Sequence, residues 1–158
     1  MKLTKFLALL LMMVSLSAGA TDVSDRELLL TIGFNQSISG QNYCMKSTRP
    51  VGDCTGVTWA QGVCLSSWRP SPQCVGVVLA QGVCLSGWRA PQECVGVNLA
   101  EAVCLVSNRP ARECAGVSRL SAICMSGGRN ALDCSKVVTL NQAICLQSGR
   151  PVRECAGL

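Results

Sequence analysis

Apolar and polar positions of the chain repeat every 20 residues from Cys44 onward. The segments 76–85 and 96–105 align residue for residue, and each carries an apolar run that ends in Cys-Leu. A fixed period of this length indicates a repeat architecture, in which each unit buries its apolar face by stacking on its neighbours. The one irregularity is an extra residue between Cys134 and Cys145. We expect a bulge or a changed packing angle at that point.

The pattern favours one helix per period, beginning near one cysteine and running past the next, as in residues 112–126. Prolines fall at the expected first turn, and acidic residues precede most second cysteines, where they suit the positive end of the helix dipole. Four glycines oppose this interpretation because each costs about 1 kcal/mol inside a helix relative to alanine; they are Gly76, Gly82, Gly96 and Gly116. We interpret them as points of close helix–helix approach. The Val-Gly-Val runs leave strands of a solenoid as the alternative. The predicted fold is therefore all-α: a disulfide-stapled array of short antiparallel helices, similar to an α-solenoid, with about 20 residues per unit.

The twelve cysteines all obey one Cys-x9-Cys spacing. Cys74 and Cys84 would lie at two ends of one helix, about 15 Å apart at 1.5 Å per residue. A disulfide needs Cα atoms roughly 4.4–6.8 Å apart, so these two cannot pair. The predicted bonds instead close the turns between helices; they are Cys44–Cys54, Cys64–Cys74, Cys84–Cys94, Cys104–Cys114, Cys124–Cys134 and Cys145–Cys155. Such a framework is typical of exported proteins.

The first residues form a predicted signal peptide. Lys2 and Lys5 precede an apolar stretch, 6–14, which is too short to span a membrane, and Ala18-Gly19-Ala20 is a cleavage site of the A-x-A kind. We therefore divide the chain into a signal peptide (1–20), cleaved after Ala20, an N-terminal capping segment (21–43) and a six-copy repeat domain (44–158). A Ser24–Glu27 capping box predicts a helix near 25–34. The mature protein is expected in the periplasm or outside the cell, without a stable membrane span.

Composition argues against several kinds of chemistry. The net charge of +5 includes two lysines of the signal peptide, and the mild remainder is not typical of a nucleic-acid binder. The sequence has no histidine, the commonest general base and metal ligand. Uniform cysteine spacing offers neither the close pairs of a zinc site nor a C-x-x-C redox motif. We expect no enzyme activity, no metal and no cofactor.

One arginine recurs in each unit, and in two of the units a tryptophan directly precedes it. These candidate partner-binding residues are Trp68, Trp88, Arg49, Arg69, Arg89, Arg109, Arg129 and Arg150. If successive turns alternate between two ends, Arg49, Arg89 and Arg129 share one edge, and Arg69, Arg109 and Arg150 share the other. The arginines could then bind an anionic polymer or an acidic partner. The favoured alternative is structural: each arginine binds the last carbonyls of the preceding helix or the acid four residues later. For Trp68 and Trp88, packing over the disulfide is the favoured interpretation, and stacking on arginine and a recognition surface are the alternatives. Trp59 is expected in the core.

The unit also resembles a motif of the TrbM/KikA-type proteins of bacterial conjugative transfer systems. The matching residues are Cys104, Leu105, Ser107, Arg109, Pro110, Glu113 and Cys114, with a second copy at Cys145, Leu146, Ser148, Gly149, Arg150, Pro151, Glu154 and Cys155. That family carries the motif once, whereas this chain carries six copies. The resemblance implies the envelope of a Gram-negative bacterium and a role near a transfer apparatus.

These patterns predict a structural or protein-interaction scaffold that binds an unidentified protein of the cell envelope. Two alternatives remain, an accessory component of a conjugative transfer or type IV secretion system, and a secreted toxin or enzyme inhibitor. The oligomeric state is open. We expect function to lie where the repeat is broken, at Trp68, Trp88, the 21–43 segment and the extra residue before Cys145.

Overall fold

A computed structural model describes residues 23–158, so the predicted signal peptide and the first residues after it lie outside the described part. Within that part the chain is all-helical and contains no strand, which confirms the fold class and excludes the strand alternative. The helices are α1 (Asp25–Thr31), α2 (Gly40–Met45), α3 (Val51–Cys54), α4 (Trp59–Ser66), α5 (Ser71–Cys74), α6 (Leu79–Ser86), α7 (Leu99–Val106), α8 (Ala111–Cys114), α9 (Arg119–Ser126), α10 (Ala131–Cys134), α11 (Leu140–Gln147) and α12 (Val152–Cys155), with a 3-10 helix (Pro91–Cys94) after α6. None of these helices is long and apolar enough to cross a membrane.

Each unit contains two helices, a longer one followed by a helix of a single turn. The expectation of one helix per period is therefore wrong. The predicted helix 112–126 is interrupted after Cys114. Gly116 there has φ +67°, and Gly76 and Gly96 have +70° and +73°. This left-handed conformation ends a right-handed helix and suits glycine. A Cβ atom at any of the three would meet nothing within 4 Å, so these glycines break the helix rather than mark a close approach.

A polar residue before four of the five eight-residue helices caps the start of that helix. Thr58 Oγ1 accepts a hydrogen bond from the Gln61 backbone N–H at 3.3 Å, and Gln61 Oε1 accepts one from the Thr58 N–H at 2.8 Å. Asn98 and Glu101 form the same reciprocal capping box before α7. Such boxes satisfy backbone donors that a helix start leaves without partners.

The long helices of neighbouring units lie parallel and in register. Near their starts, a Cβ atom on Gly82 would lie 2.4 Å from the Ala60 carbonyl oxygen. Just beyond their ends, a Cβ atom on Gly87 would lie 2.7 Å from Val106 Cα. Matching ends therefore meet, and the segment with the short helix carries the chain back in the opposite direction. Gly82, unlike Gly76, does mark a close approach of two helices.

The core lies between the long helices and includes the disulfides. All six predicted bonds are present, with Cα–Cα distances of 5.6–5.8 Å. Each joins the second half of a long helix, or α2 in the first unit, to the end of the short helix that follows. In the second to fifth units the residue before the first cysteine packs beside them; these residues are Val63, Val83, Val103 and Ile123, all 0% exposed.

The extra residue before Cys145 forms the expected bulge. Thr139 caps α11 as Ser118 caps α9, which leaves Val138 as the additional residue. Val138 is 69% exposed. Ser135 adopts a right-handed helical conformation where the equivalent Ala115 is extended, so the connection takes a different route here.

The N-terminal segment lies across the array rather than capping its end. The Ser24–Glu27 capping box opens α1 as predicted, but α1 ends at Thr31. Arg119 hydrogen-bonds the Val23 carbonyl oxygen and forms an ion pair with Asp25. At the other end of α1, Gln147 Nε2 donates to the Thr31 carbonyl oxygen at 2.8 Å. The first unit begins with α2, inside the segment assigned as the cap.

Two buried leucines fix α1 in this position. Leu28 and Leu29 are 0% exposed and belong to the same core as the long helices. Beyond α1, Phe34 contacts Tyr43 and Trp59, with ring centroids 6.1 and 6.2 Å apart. The half-buried Trp59 thus packs against the core, as expected.

Candidate functional site

The repeat arginines form one continuous ladder along one edge of the array. Arg69 shows the pattern: its Nε–H donates to the Leu85 carbonyl oxygen at 3.1 Å and its Nη2 to the Arg89 carbonyl oxygen. Arg49, Arg89 and Arg129 repeat both bonds, to Leu65 and Arg69, to Leu105 and Arg109, and to Leu146 and Arg150. Arg109 donates to the carbonyls of Gly128 and Arg129. The five arginines from Arg49 to Arg129 thus satisfy carbonyls at or just beyond the end of the next long helix.

This ladder corrects two expectations. The arginines do not alternate between two edges, because the parallel long helices place every unit's turn at the same edge. The carbonyls they bind belong to the following helix, not to the preceding one.

The acid four residues later is only a partial partner. Arg89 and Arg109 do form ion pairs with Glu93 and Glu113, at 3.8 and 3.7 Å. Asp133 instead accepts a hydrogen bond from Asn130 Nδ2 at 3.0 Å. The guanidinium groups are therefore committed mainly to backbone carbonyls inside the array. Arg69 is the most enclosed of them, at 9% exposure. These contacts support the structural interpretation of the arginines over a ligand-binding one.

Trp68 and Trp88 stand on the same edge and are exposed to solvent, at 58% and 66%. Their φ angles are +65° and +63°, the left-handed conformation that costs an ordinary L-residue about 1–2 kcal/mol. The equivalent residues of the fifth and sixth units are Gly128 and Gly149, with φ +87° and +85°. The chain therefore carries two of its three tryptophans where the turn favours glycine, and both rings are largely exposed to water.

Tryptophan–arginine stacking, one of the alternatives, occurs at Trp88 and between units rather than within one. The Arg69 guanidinium carbon lies 5.6 Å from the centre of the Trp88 ring. Its hydrogen bonds to Leu85 and Arg89 hold that guanidinium in place. Trp88 therefore has one side supported by a fixed cation.

The tryptophan conformation could have been found in the sequence. Aligning the units places Trp68 and Trp88 in the column of Gly128 and Gly149, and glycine directly after a helix indicates a left-handed turn. A comparison of the two tryptophans with each other alone does not show this signal.

The opposite edge carries smaller apolar side chains. Val78 precedes α6 and is 61% exposed, and Val75 and Val95 follow their short helices at 73% and 72%. Isolated exposed valines are ordinary on protein surfaces. They provide a matched comparison for the tryptophan edge.

Residues 23–158 offer few groups for thiol or metal chemistry. All twelve cysteines are in disulfides. No group of three or more Cys, Asp, Glu or His in the described residues could hold a metal ion. Comparison of the chain with family models, curated proteins and solved structures gave no match.

The residues of the transfer-protein motif have local structural roles in this fold. Ser107 Oγ donates to the Cys104 carbonyl oxygen at 2.6 Å. Arg109 extends the ladder and pairs with Glu113, and Cys104 is bonded to Cys114. The motif thus describes one stapled turn.

Proposed function

We propose that the protein is an exported interaction scaffold that recognises a protein of the cell envelope through the edge carrying Trp68 and Trp88. The disulfide framework fits an oxidising compartment. The observation that carries the proposal is the pair of exposed tryptophans held at a left-handed position.

Strain of this kind supports a binding role. Residues held in costly backbone conformations cluster at functional sites. Tryptophan is among the residues most enriched at the energetic centres of protein interfaces. Neither ring is needed to fill the core, because both are more than half exposed.

The frame beneath the tryptophans is rigid. Cys64–Cys74 and Cys84–Cys94 close the two turns that carry them, and the arginine ladder joins those turns. A fixed pair of rings loses little conformational freedom on binding, which favours affinity. The partner surface we expect is an apolar groove or ridge that spans two neighbouring units.

The test is site-specific photo-crosslinking in the envelope of the producing bacterium. A photoreactive residue replaces Ser67, which precedes Trp68 in the chain. We expect a discrete crosslinked protein that disappears in the double variant Trp68→Asn, Trp88→Asn. The double variant Val75→Asn, Val95→Asn removes two exposed apolar side chains from the opposite edge and should retain the product.

Stability separates binding from folding in the same experiment. Asparagine tolerates the left-handed conformation better than tryptophan. The tryptophan variant should therefore unfold at an equal or higher denaturant concentration than the wild type. Loss of crosslinking with retained stability supports the proposal. A crosslink that persists in the tryptophan variant, or loss of stability together with crosslinking, contradicts it.

A role in conjugative transfer is the second candidate, and it rests on the motif resemblance. Because those residues serve the stapled turn, the resemblance fits a shared local structure as well as a shared task. Deleting the gene and measuring mating frequency tests it: an unchanged frequency rejects the transfer role. Toxicity of the exported protein to neighbouring cells would instead favour a toxin or inhibitor.

A further inference from the structure

The last long helix of the described chain has an open outer face. Ile144 of α11 is 41% exposed, although its equivalents in the four units before it are 0% exposed. Beside it lies a depression of about 360 Å³, lined by Asn141, Ile144, Cys145, Ser148, Arg150 and Leu158. In every earlier unit the following long helix covers this face.

The arginine ladder is incomplete at the same place. Arg49 to Arg129 each donate to carbonyls about one unit ahead. Arg150 is exposed, and the structure gives its guanidinium no acceptor among the described residues. A set of hydrogen-bond donors therefore stands next to the open apolar face.

The first unit presents the complementary face. Met45 is 41% exposed, whereas the residues at its position in the five later units are 1–3% exposed. Its carbonyl and that of Arg49 correspond to the carbonyls of Leu65 and Arg69, which Arg49 binds. No repeat arginine precedes them in the chain.

We propose that two copies of this chain associate head to tail, with α2 of one copy stacking on α11 of the other. Arg150 then donates to the carbonyls of Met45 and Arg49 of the second copy, and Ile144 is covered. The new seam joins the same two kinds of face that meet between neighbouring units. Because it joins two different faces, each pair keeps one free face of each kind, and longer stacks can form.

The residues at the closest approach make this seam weaker than the inner ones. Inside the array, Gly82 lies against the Ala60 carbonyl, and the space beside its Cα atom does not admit a Cβ atom. The corresponding residues of the new seam are Asn42 and Asn141. Two amides hold the helices further apart but can hydrogen-bond each other. We therefore expect reversible, concentration-dependent association.

Sedimentation velocity of the oxidised chain over a concentration series tests the proposal. Wild-type protein should shift from monomer to dimer and longer stacks as its concentration rises. Ile144→Glu blocks the α11 face, and Met45→Glu blocks the α2 face. Each variant alone should remain monomeric, but their equimolar mixture should form a dimer and nothing larger, since one intact face of each kind remains. Far-UV circular dichroism checks that both variants fold.

Arg150→Gln tests the ladder itself, with Arg153→Gln as the matched control on the neighbouring short helix. Arg150→Gln should weaken association about tenfold or more through the lost charged hydrogen bonds, and Arg153→Gln should leave it unchanged. The proposal is overturned by a wild-type monomer at every concentration. It is equally overturned if the mixture of folded face variants forms no dimer, or if Arg150→Gln associates as the wild type does.

Discussion

At the scale of the residue, the repeat arginine lies in two different environments, enclosed within the array and exposed at its end. Arg69 has its guanidinium enclosed and bound to two carbonyls. Arg150 has the same place in its unit but is exposed. The contribution of an arginine to stability therefore depends on whether another unit follows it.

We predict that Arg69→Lys destabilises the protein by about 2–3 kcal/mol, because an ammonium cannot make the two-nitrogen contact and a buried carbonyl loses its donor. Arg150→Lys, the same change at the end of the ladder, should stay within about 0.5 kcal/mol of the wild type. Unfolding in guanidinium chloride, with the disulfides intact and at low protein concentration, measures both changes in stability. Equal losses at the two positions would mean that the carbonyl contacts contribute nothing.

At the scale of the element, two kinds of glycine shape each unit. Gly76 turns the chain between a short and a long helix at φ +70°, in open space. Gly82 lies inside α6 and admits the backbone of α4. Both look alike in the sequence, since each stands in an apolar run.

Substitution should distinguish them by the order of stabilities. At position 76 we predict that Asn is better tolerated than Ala, because asparagine adopts the left-handed conformation more readily, and that Ala costs about 1–2 kcal/mol. At position 82 we predict the reverse order: Ala already forces two backbones apart at a cost of about 1–3 kcal/mol, and the larger Asn costs more. Thermal unfolding followed by circular dichroism gives both orders. The same order at both positions would contradict the two-glycine interpretation.

The same glycines explain which parts of the fold could be predicted from the sequence. The Cys64–Cys74 pairing follows from chain reach alone, because a ten-residue helix keeps Cys74 and Cys84 apart and a turn does not. The actual Cys74–Cys84 segment is a break followed by a helix, and its two cysteines are bonded to Cys64 and Cys94 instead. The pairing was thus predictable even with the helix boundaries wrong.

The glycine break between the short and the long helix could not be predicted in this way, and neither could the direction of the long helices that follows from it. A glycine in an apolar run is compatible with both a helix contact and a left-handed turn, and only the packing of neighbouring units selects one. The break makes all long helices parallel, which places the arginines on one edge. The position of α1 was equally hidden, because its leucines fit any apolar groove. The candidate arginines and tryptophans were found, but their environments depend on contacts about 20 residues apart in sequence.

At the scale of the whole molecule, α1 makes the array more than a row of neighbours. In a simple solenoid each unit contacts only the next, so stability is nearly a sum of local terms. Here α1 contacts both α7 and α9, and Gln147 of α11 binds its end. Phe34, just beyond α1, reaches Trp59 of the second unit. One segment therefore joins units that do not touch each other.

We predict that Leu29→Ala uncouples these units. Leu29 is 0% exposed, whereas its neighbour Leu30 is 45% exposed and provides the control. Removing the Leu29 side chain should cost about 3 kcal/mol, and Leu30→Ala should be nearly neutral. Because α1 contacts α7 and α9, amide hydrogen exchange should accelerate in those two helices while α4 keeps its protection. In the wild type, α4, α7 and α9 should instead exchange their amide hydrogens through one common opening. If Leu29→Ala accelerates exchange equally in α4, α7 and α9, the coupling runs through the stacked units themselves and α1 is only one more packed helix.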